Sequence, residues 1–168
     1  MDYFELFSIP ISLKVDMVSI KKKYFELSRK YHPDFFSQTS EDEQLDALEK
    51  SALLNKALRT FSNPDEIMKY VLIQKGLLEG DEKYQLPPAF LMDMMDFNEQ
   101  LMDAKMEGDV ALLQSIRLKI VEFESDLYKP VKNIIENYQE GVTAAEELWQ
   151  VKKYYFQKKY IDRMLEGI

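Results

Sequence analysis

The stretch that decides the fold runs from Asp16 to Asp34 and reads DMVSIKKKYFELSRKYHPD. Its apolar residues recur at spacings of three and four residues, which predicts an amphipathic helix. Asp16 can cap the start of this helix, and Pro33 disfavours helical geometry at His32, so we expect the helix to end near Tyr31. The tripeptide His32-Pro33-Asp34 is therefore predicted to lie on a loop directly after a helix.

The polar side of this helix carries a charge that contrasts with the rest of the chain. Five of its residues are basic and only Glu26 is acidic, a local net charge of +4 in a chain whose formal net charge is -8. A charge run of this kind is often only a solvated face, but a basic patch in an acidic protein also favours an acidic partner. The basic residues are Lys21, Lys22, Lys23, Arg29 and Lys30.

Further helices follow on the C-terminal side of the loop. Ser40 and Glu43 form a capping-box pattern, which predicts the start of a second long helix. We expect this helix to pair antiparallel with the first. A short third helix is predicted to begin at Pro64 and to end at Gly76.

Residues 76–88 contain two glycines and two prolines, which predicts a linker between a domain at 1–75 and a domain at 89–168. The N-terminal part has 11 basic and 12 acidic residues, whereas the part from residue 76 onward has 11 and 18. No strand-like alternation occurs, so we expect an all-α fold: an antiparallel helical hairpin with short flanking helices, then a three-helix bundle. The bundle helices are predicted at about 89–107, 109–138 and 144–165, the last with a capping box at Thr143 and Glu146.

The composition excludes several functional classes. The chain has no cysteine and one histidine, which removes thiolate sites, disulfides and conventional histidine-rich metal sites. It lacks a glycine-rich phosphate loop and a nucleophile elbow. Its acidity argues against nucleic-acid binding, its opening is no secretory signal, and no stretch approaches the roughly 20 apolar residues of a membrane span. We therefore expect a non-enzymatic, cytoplasmic binding protein without a cofactor and without a membrane or nucleic-acid partner.

The HPD tripeptide stands within a larger pattern. A short aromatic opening, Tyr3 to Phe7, precedes the basic helix, and the sequence LNKA at 54–57 lies on the second long helix. Together with the HPD loop, these features resemble the J-domain of DnaJ-type co-chaperones. The sequence AFLM at 89–92 and the C-terminal bundle extend the likeness, so that the whole chain resembles the HscB family of iron-sulfur cluster assembly.

This resemblance implies a co-chaperone that stimulates the ATPase of a DnaK/HscA-type chaperone and delivers an IscU-type scaffold protein to it. It also implies that the HPD loop is a trigger and that the basic helix docks on an acidic ATPase domain. A proline-stiffened loop presents its side chains at low ordering cost, and lysines steer an encounter with an acidic partner. The predicted chaperone-binding residues are His32, Pro33, Asp34, Lys22, Lys23, Arg29 and Lys30.

Other interpretations of this region stay open at this stage. His32 could be satisfied by local hydrogen bonds and serve only to hold the loop. The family often continues the tripeptide with lysine, whereas Phe35 and Phe36 follow it here. The chain could also be a J-protein with a different client, or a structural helical adaptor in which the tripeptide is accidental. An enzyme that uses His32 is the weakest alternative, because no nucleophile motif accompanies it.

The helix after the linker has two apolar stripes when it is drawn at about 100 degrees per residue. The first stripe consists of Phe90, Met94, Phe97 and Leu101, and the second stripe consists of Leu91, Met95, Met102 and Met106. Both stripes could be buried, or the second could bind another protein, since flexible methionines suit adaptable surfaces. The resemblance implies the latter, with a client patch at Leu91, Met92, Met95, Asp96, Glu99 and Asp103, joined by Tyr154 on the last helix.

Overall fold

A computed structural model describes residues 1–168, and all of its regular secondary structure is helical. The predicted all-α fold class is therefore confirmed. A single turn of 3-10 helix at Pro33–Phe36 follows the HPD histidine. The α-helices are α1 (Tyr3–Leu6), α2 (Met17–Lys30), α3 (Glu41–Phe61), α4 (Pro64–Gln74), α5 (Pro88–Glu107), α6 (Val110–Glu136) and α7 (Ala145–Glu166).

The contacts divide the chain into two compact units. The N-terminal unit comprises residues 1–71 and 138–142, and the C-terminal unit comprises residues 72–137 and 143–168. Residues 76–88, which the sequence predicts as a linker, fall within the C-terminal unit. The predicted division at 1–75, 76–88 and 89–168 stays a prediction about domains.

The N-terminal unit is a helical hairpin closed at one end by aromatic rings. The Tyr24 hydroxyl lies 2.8 Å from Asn55 Oδ1, and the Ser51 hydroxyl donates to the Tyr31 carbonyl at 2.9 Å. Residue numbers rise along α2 as they fall along α3, so the two helices are antiparallel, as predicted. The buried ring of Phe61 meets those of Phe4 and Phe7 at centroid distances of 5.3 and 5.2 Å and so attaches α1 to the hairpin.

Most of the predicted helix ends agree with the structure. The Asp16 carboxylate caps α2 by accepting the Val18 N–H, and Ser40 and Glu43 form the predicted capping box at α3. Gly108 ends α5 at a φ of 65°, a left-handed conformation that costs glycine little. Each of these helix ends depends only on residues within about one turn, so it can be predicted from the sequence alone.

The predicted capping box at Thr143 and Glu146 is wrong by one residue. Ala144 has the extended backbone of a cap, with a ψ of 155°, and α7 begins at Ala145. The third helical position is then Glu147, whose carboxylate accepts the Ala144 N–H at 3.2 Å. An alanine side chain cannot accept a hydrogen bond, so half of the usual reciprocal motif is present here.

The C-terminal unit is a bundle of α5, α6 and α7. Its core contains the first stripe of α5 together with isoleucines of the other two helices. Each fully buried side chain of this size contributes about 1.5–3 kcal/mol. Helix α6 runs through Pro130 as one helix from Val110 to Glu136. The buried core residues are Phe90, Met94, Leu101, Ala104, Ile116, Ile120 and Ile161.

Residues before α5 are attached to α7 by a second set of contacts. The Lys152 ammonium, whose side chain is only 7% exposed, pairs with the Glu82 carboxylate at 2.6 Å. The ring of Tyr84 stacks on Phe156 with centroids 4.6 Å apart. Burial raises the pKa of Tyr84, and the Glu82 carboxylate adds to this effect. Because a buried charge is costly without its partner, the Lys152–Glu82 pair fixes this segment on α7.

Candidate functional site

The HPD loop is fixed by its own backbone and remains exposed. His32 has an extended backbone with a ψ of 130°, as expected before proline, and Pro33 begins the 3-10 turn. His32 Nδ1 accepts the Asp34 N–H at 3.3 Å and lies 3.6 Å from an Asp34 carboxylate oxygen. The side chains of His32 and Asp34 are nevertheless 52% and 89% exposed. One ring nitrogen of His32 is therefore hydrogen-bonded within the loop, while the side chains of His32 and Asp34 remain accessible to another molecule.

The hydrogen bond to Nδ1 determines what the neutral imidazole can offer. When Nδ1 accepts a proton, the neutral ring carries its own hydrogen on Nε2. Nε2 is then the donor available to another molecule, and the Asp34 carboxylate is an acceptor beside it. The local interpretation of His32 and the trigger interpretation use different atoms of the ring and are compatible.

The end of α2 is fastened to α3 at Tyr31, immediately before the loop. The Ser51 hydroxyl binds the Tyr31 carbonyl, and the ammonium groups of Lys30 and Lys50 lie 5.3 and 5.0 Å from the centre of its ring. Lys50 is itself paired with Asp46 at 2.9 Å. These contacts fix the point from which the loop projects.

The basic face of α2 divides into exposed cations and one that is bound within the unit. Lys22, Arg29 and Lys30 are exposed. The Lys23 ammonium instead donates to the carbonyls of Phe7 and Ser8 at 3.1 and 3.4 Å. Lys23 therefore holds the end of α1, in addition to contributing a positive charge to the face.

The two stripes of α5 have different surroundings. In the first stripe Phe90, Met94 and Leu101 are buried and Phe97 is partly buried. In the second stripe Met95, Met102 and Met106 are 68%, 63% and 81% exposed, and Leu91 is 38% exposed. The alternative in which both stripes are buried is therefore wrong. The second stripe, together with exposed Met92, forms what we call the methionine face, and Asp96, Glu99 and Asp103 are exposed beside it.

Comparison with known proteins agrees with both halves of this description. Residues 2–70 match the family model of the DnaJ domain, and residues 86–168 match that of the HSCB C-terminal oligomerisation domain. The co-chaperone protein HscB homolog of Colwellia psychrerythraea is 33% identical over 100% of this chain and 98% of its own length. The chain belongs to the HscB family. A homolog from Neisseria meningitidis is 31% identical over 88% of the chain and 89% of its own length.

Two solved structures of HscB proteins share this fold. The human co-chaperone HscB is 27% identical with a TM-score of 0.78, over 99% of this chain and 80% of the human chain. The chaperone HscB from Vibrio cholerae is 26% identical with a TM-score of 0.66, over 99% of both chains. The resemblance inferred from the HPD loop and the helix pattern is therefore confirmed: the chain is an HscB-type co-chaperone with a J-domain, a family associated with iron-sulfur cluster assembly and with Hsp70-type partners.

The HscB resemblance also assigned Tyr154 to the client patch, and the structure places this residue differently from the others. Tyr154 is only 6% exposed, and its ring lies 5.6 Å from that of Tyr128 on α6. Its neighbour Tyr155 is equally buried, at 7%. A residue so placed has little surface with which to touch a client. Direct client contact by Tyr154 stays a prediction that this arrangement does not favour.

Two features beside the predicted sites of this HscB protein were not found from the sequence. A shallow open groove beside the HPD loop is lined by Ser28, Arg29, His32, Asp34 and Phe35. A second shallow groove at the start of the methionine face is lined by residues 84–88 and Leu91. Of the dipeptide Phe35-Phe36 that follows the tripeptide, only Phe35 lines the first groove. The second depends on how residues 84–88 fold back before α5, which no motif encodes.

The structure shows neither a metal-binding cluster nor a membrane-spanning helix. Nowhere do three histidine, cysteine or acidic side chains assemble into a group that could hold a metal ion. None of the helices has the length and apolarity required to cross a bilayer. The exposed HPD loop, the basic face and the methionine face are thus the candidate functional surfaces of this HscB family member.

Proposed function

We propose that this chain stimulates ATP hydrolysis by a DnaK/HscA-type chaperone through its HPD loop and basic face. We further propose that it delivers an IscU-type scaffold protein bound on its methionine face. The observation that carries the proposal is the exposed, proline-fixed HPD loop at the end of a basic helix in an HscB-family chain. The chain itself performs no catalysis in this account, and a cytoplasmic location stays a prediction.

The geometry of the loop fits a trigger that acts by binding. The Nε2–H of His32 and the Asp34 carboxylate offer a donor and an acceptor close together on a short, constrained segment. Little conformational entropy is lost when such a segment docks. No proton transfer by His32 is needed, because the chaperone supplies the hydrolytic machinery.

The methionine face fits a protein client. An exposed row of large apolar side chains on one helix is unusual for a surface that remains in water. Unbranched methionines can adjust to the shape of a partner. The carboxylates of Asp96, Glu99 and Asp103 stand beside this row, where they can orient a client that carries basic groups.

A single-turnover ATPase assay with an HscA-type chaperone, with and without IscU, tests the proposal. We expect the protein to accelerate hydrolysis alone and to do so more strongly when IscU is present. Acceleration without any effect of IscU would indicate a J-protein with another client. No acceleration in either condition would leave a structural adaptor, and the proposal would be wrong.

A further inference from the structure

Large apolar side chains are exposed on the basic face and at the HPD loop, beside the cations and the polar groups of the proposed trigger. Phe25 is 59% exposed, Phe35 is 71% exposed, and Val18 at the start of α2 is 79% exposed. Single exposed apolar residues are common on protein surfaces. Phe25 and Phe35 differ from such scattered residues because they lie next to the cations of α2 and next to the HPD loop.

Phe25 lies at the centre of the basic face. Its neighbours on the helix surface are the residues three and four positions away, namely Lys21, Lys22, Ser28 and Arg29. Three of these four are cations and none is an acid. The only acid of the face, Glu26, is next in sequence and therefore points about 100° around the helix. Phe25 is thus an exposed ring within a group of positive charges.

Phe35 lies at the other end of the same surface. It lines the groove beside the HPD loop together with Arg29, His32 and Asp34, and its ring meets the His32 ring edge-on at 6.3 Å. Arg29 is therefore a neighbour of both exposed rings. The two phenylalanines and the cations form one continuous mixed surface that reaches the tripeptide.

We propose that Phe25 and Phe35 are apolar anchors that insert into recesses on the ATPase domain of the chaperone, between carboxylates that pair with the surrounding cations. This inference rests on the proposed function, because the same face must meet the chaperone. An acidic surface is the occupant that fits, since three cations border the Phe25 ring and one of them, Arg29, also lines the groove of Phe35, where Asp34 is the single carboxylate. An apolar ring enclosed by polar contacts that exclude water is the arrangement of an interface hot spot.

The rings and the cations are expected to act on different steps of binding. Exposed charges act over a distance and mainly raise the association rate, an effect that salt screens. An apolar side chain acts only after contact, so its removal mainly raises the dissociation rate. Binding that depended on the cations alone would be lost at high salt. Binding that also buries the two phenylalanine rings keeps their apolar contribution.

The test compares Phe25→Ala, Phe35→Ala and the double variant in stopped-flow binding to an ATP-loaded HscA-type chaperone. We expect Phe25→Ala to raise the dissociation rate about tenfold, given the usual value of burying a phenylalanine side chain. The association rate should change by less than about twofold, and the loss should persist at high salt. Because the ring is exposed, thermal unfolding should be unchanged.

Matched variants complete this test. Leu118→Ala removes a side chain that is 69% exposed on α6 of the C-terminal unit, and should bind as the wild type does. Phe25→Leu should retain most of the affinity, whereas Phe25→Gln should lose as much as Phe25→Ala. Wild-type dissociation rates for both alanine variants, or a defect that disappears at high salt, would overturn the anchors while leaving the proposed function intact. A wild-type protein that fails to stimulate the chaperone would overturn the proposed function itself.

Discussion

The N-terminal and C-terminal units present surfaces of opposite character. The N-terminal unit offers a loop fixed by proline and by the His32–Asp34 hydrogen bond, next to exposed cations. The C-terminal unit offers a row of flexible methionines beside carboxylates. A fixed polar loop suits a partner whose surface does not change, whereas an adaptable apolar row suits a client whose shape varies. In the proposed function, the two units therefore use different physical means to bind different partners.

The largest effect is expected at the HPD loop. Replacing His32 with Gln, or Asp34 with Asn, should abolish ATPase stimulation, because each change alters a donor or an acceptor in the tripeptide. Both side chains are exposed, so the midpoint of thermal unfolding should move little. A steady-state ATPase assay together with a thermal melt checks this. A folded variant that stimulates as the wild type does would remove the tripeptide from the mechanism.

The methionine face should give the next largest effect. Changing Leu91, Met92 and Met95 together to Ala should weaken IscU binding at least about thirtyfold, the effect of losing an interface hot spot. Isothermal titration calorimetry with IscU measures this loss. Because these side chains are exposed, the bundle should stay folded by circular dichroism.

Met94 is the matched control within the same helix. It is fully buried in the core, so Met94→Ala should destabilise the bundle by about 2–5 kcal/mol. The exposed triple variant should show no comparable loss in denaturant unfolding. Normal IscU binding by the triple variant, or unfolding as severe as that of Met94→Ala, would contradict a client surface at this position.

The exposed cations of α2 should have a smaller effect that depends on salt. Neutralising Lys22 and Lys30 with Gln should lower the rate of association with the chaperone about tenfold at low ionic strength. The defect should shrink as salt rises, since the Debye length falls to about 8 Å at 0.15 M. Lys119 and Lys132 on α6 are also exposed, and their double Gln variant removes the same charge from the other unit. Equal association rates for the two double variants would leave Lys22 and Lys30 as ordinary solvated surface.

The smallest effect distinguishes Lys23 from its neighbour. Lys23→Met removes two contacts to the carbonyls of Phe7 and Ser8 and should lower the free energy of unfolding by about 1–2 kcal/mol. Lys22→Met removes no such contact and should stay within about 0.5 kcal/mol of the wild type. Urea unfolding of the two variants checks this difference. Identical stabilities would mean that the Lys23 contacts contribute nothing to the fold.

The sequence predicts well those features that depend on neighbouring residues. Asp16, Ser40 and Gly108 mark helix ends because capping involves residues within one turn. The separation of the two stripes on α5 follows from helical periodicity, and the exposure of the second stripe agrees with the predicted client surface. The HPD tripeptide is likewise a local pattern, and its context was enough to indicate the family.

The features that the sequence does not predict depend on residues far apart in the chain. Lys23 binds carbonyls 16 and 15 residues earlier, and no local pattern distinguishes it from Lys22. Tyr154 is buried because α7 packs against Tyr128 of α6, a contact that only the tertiary fold creates. The error at the start of α7 is different, because either Glu146 or Glu147 could take the third helical position until the backbone at Ala144 is known.

We propose that chaperone stimulation and client delivery belong to separate surfaces on separate units. This separation can be tested by single-turnover ATP hydrolysis by an HscA-type chaperone, measured with the Leu91, Met92 and Met95 triple alanine variant in the presence and absence of IscU. We expect wild-type stimulation without IscU and no additional acceleration when IscU is added. A triple variant that loses stimulation without IscU while remaining folded, or that keeps the full effect of IscU, would show that the two activities are not separate.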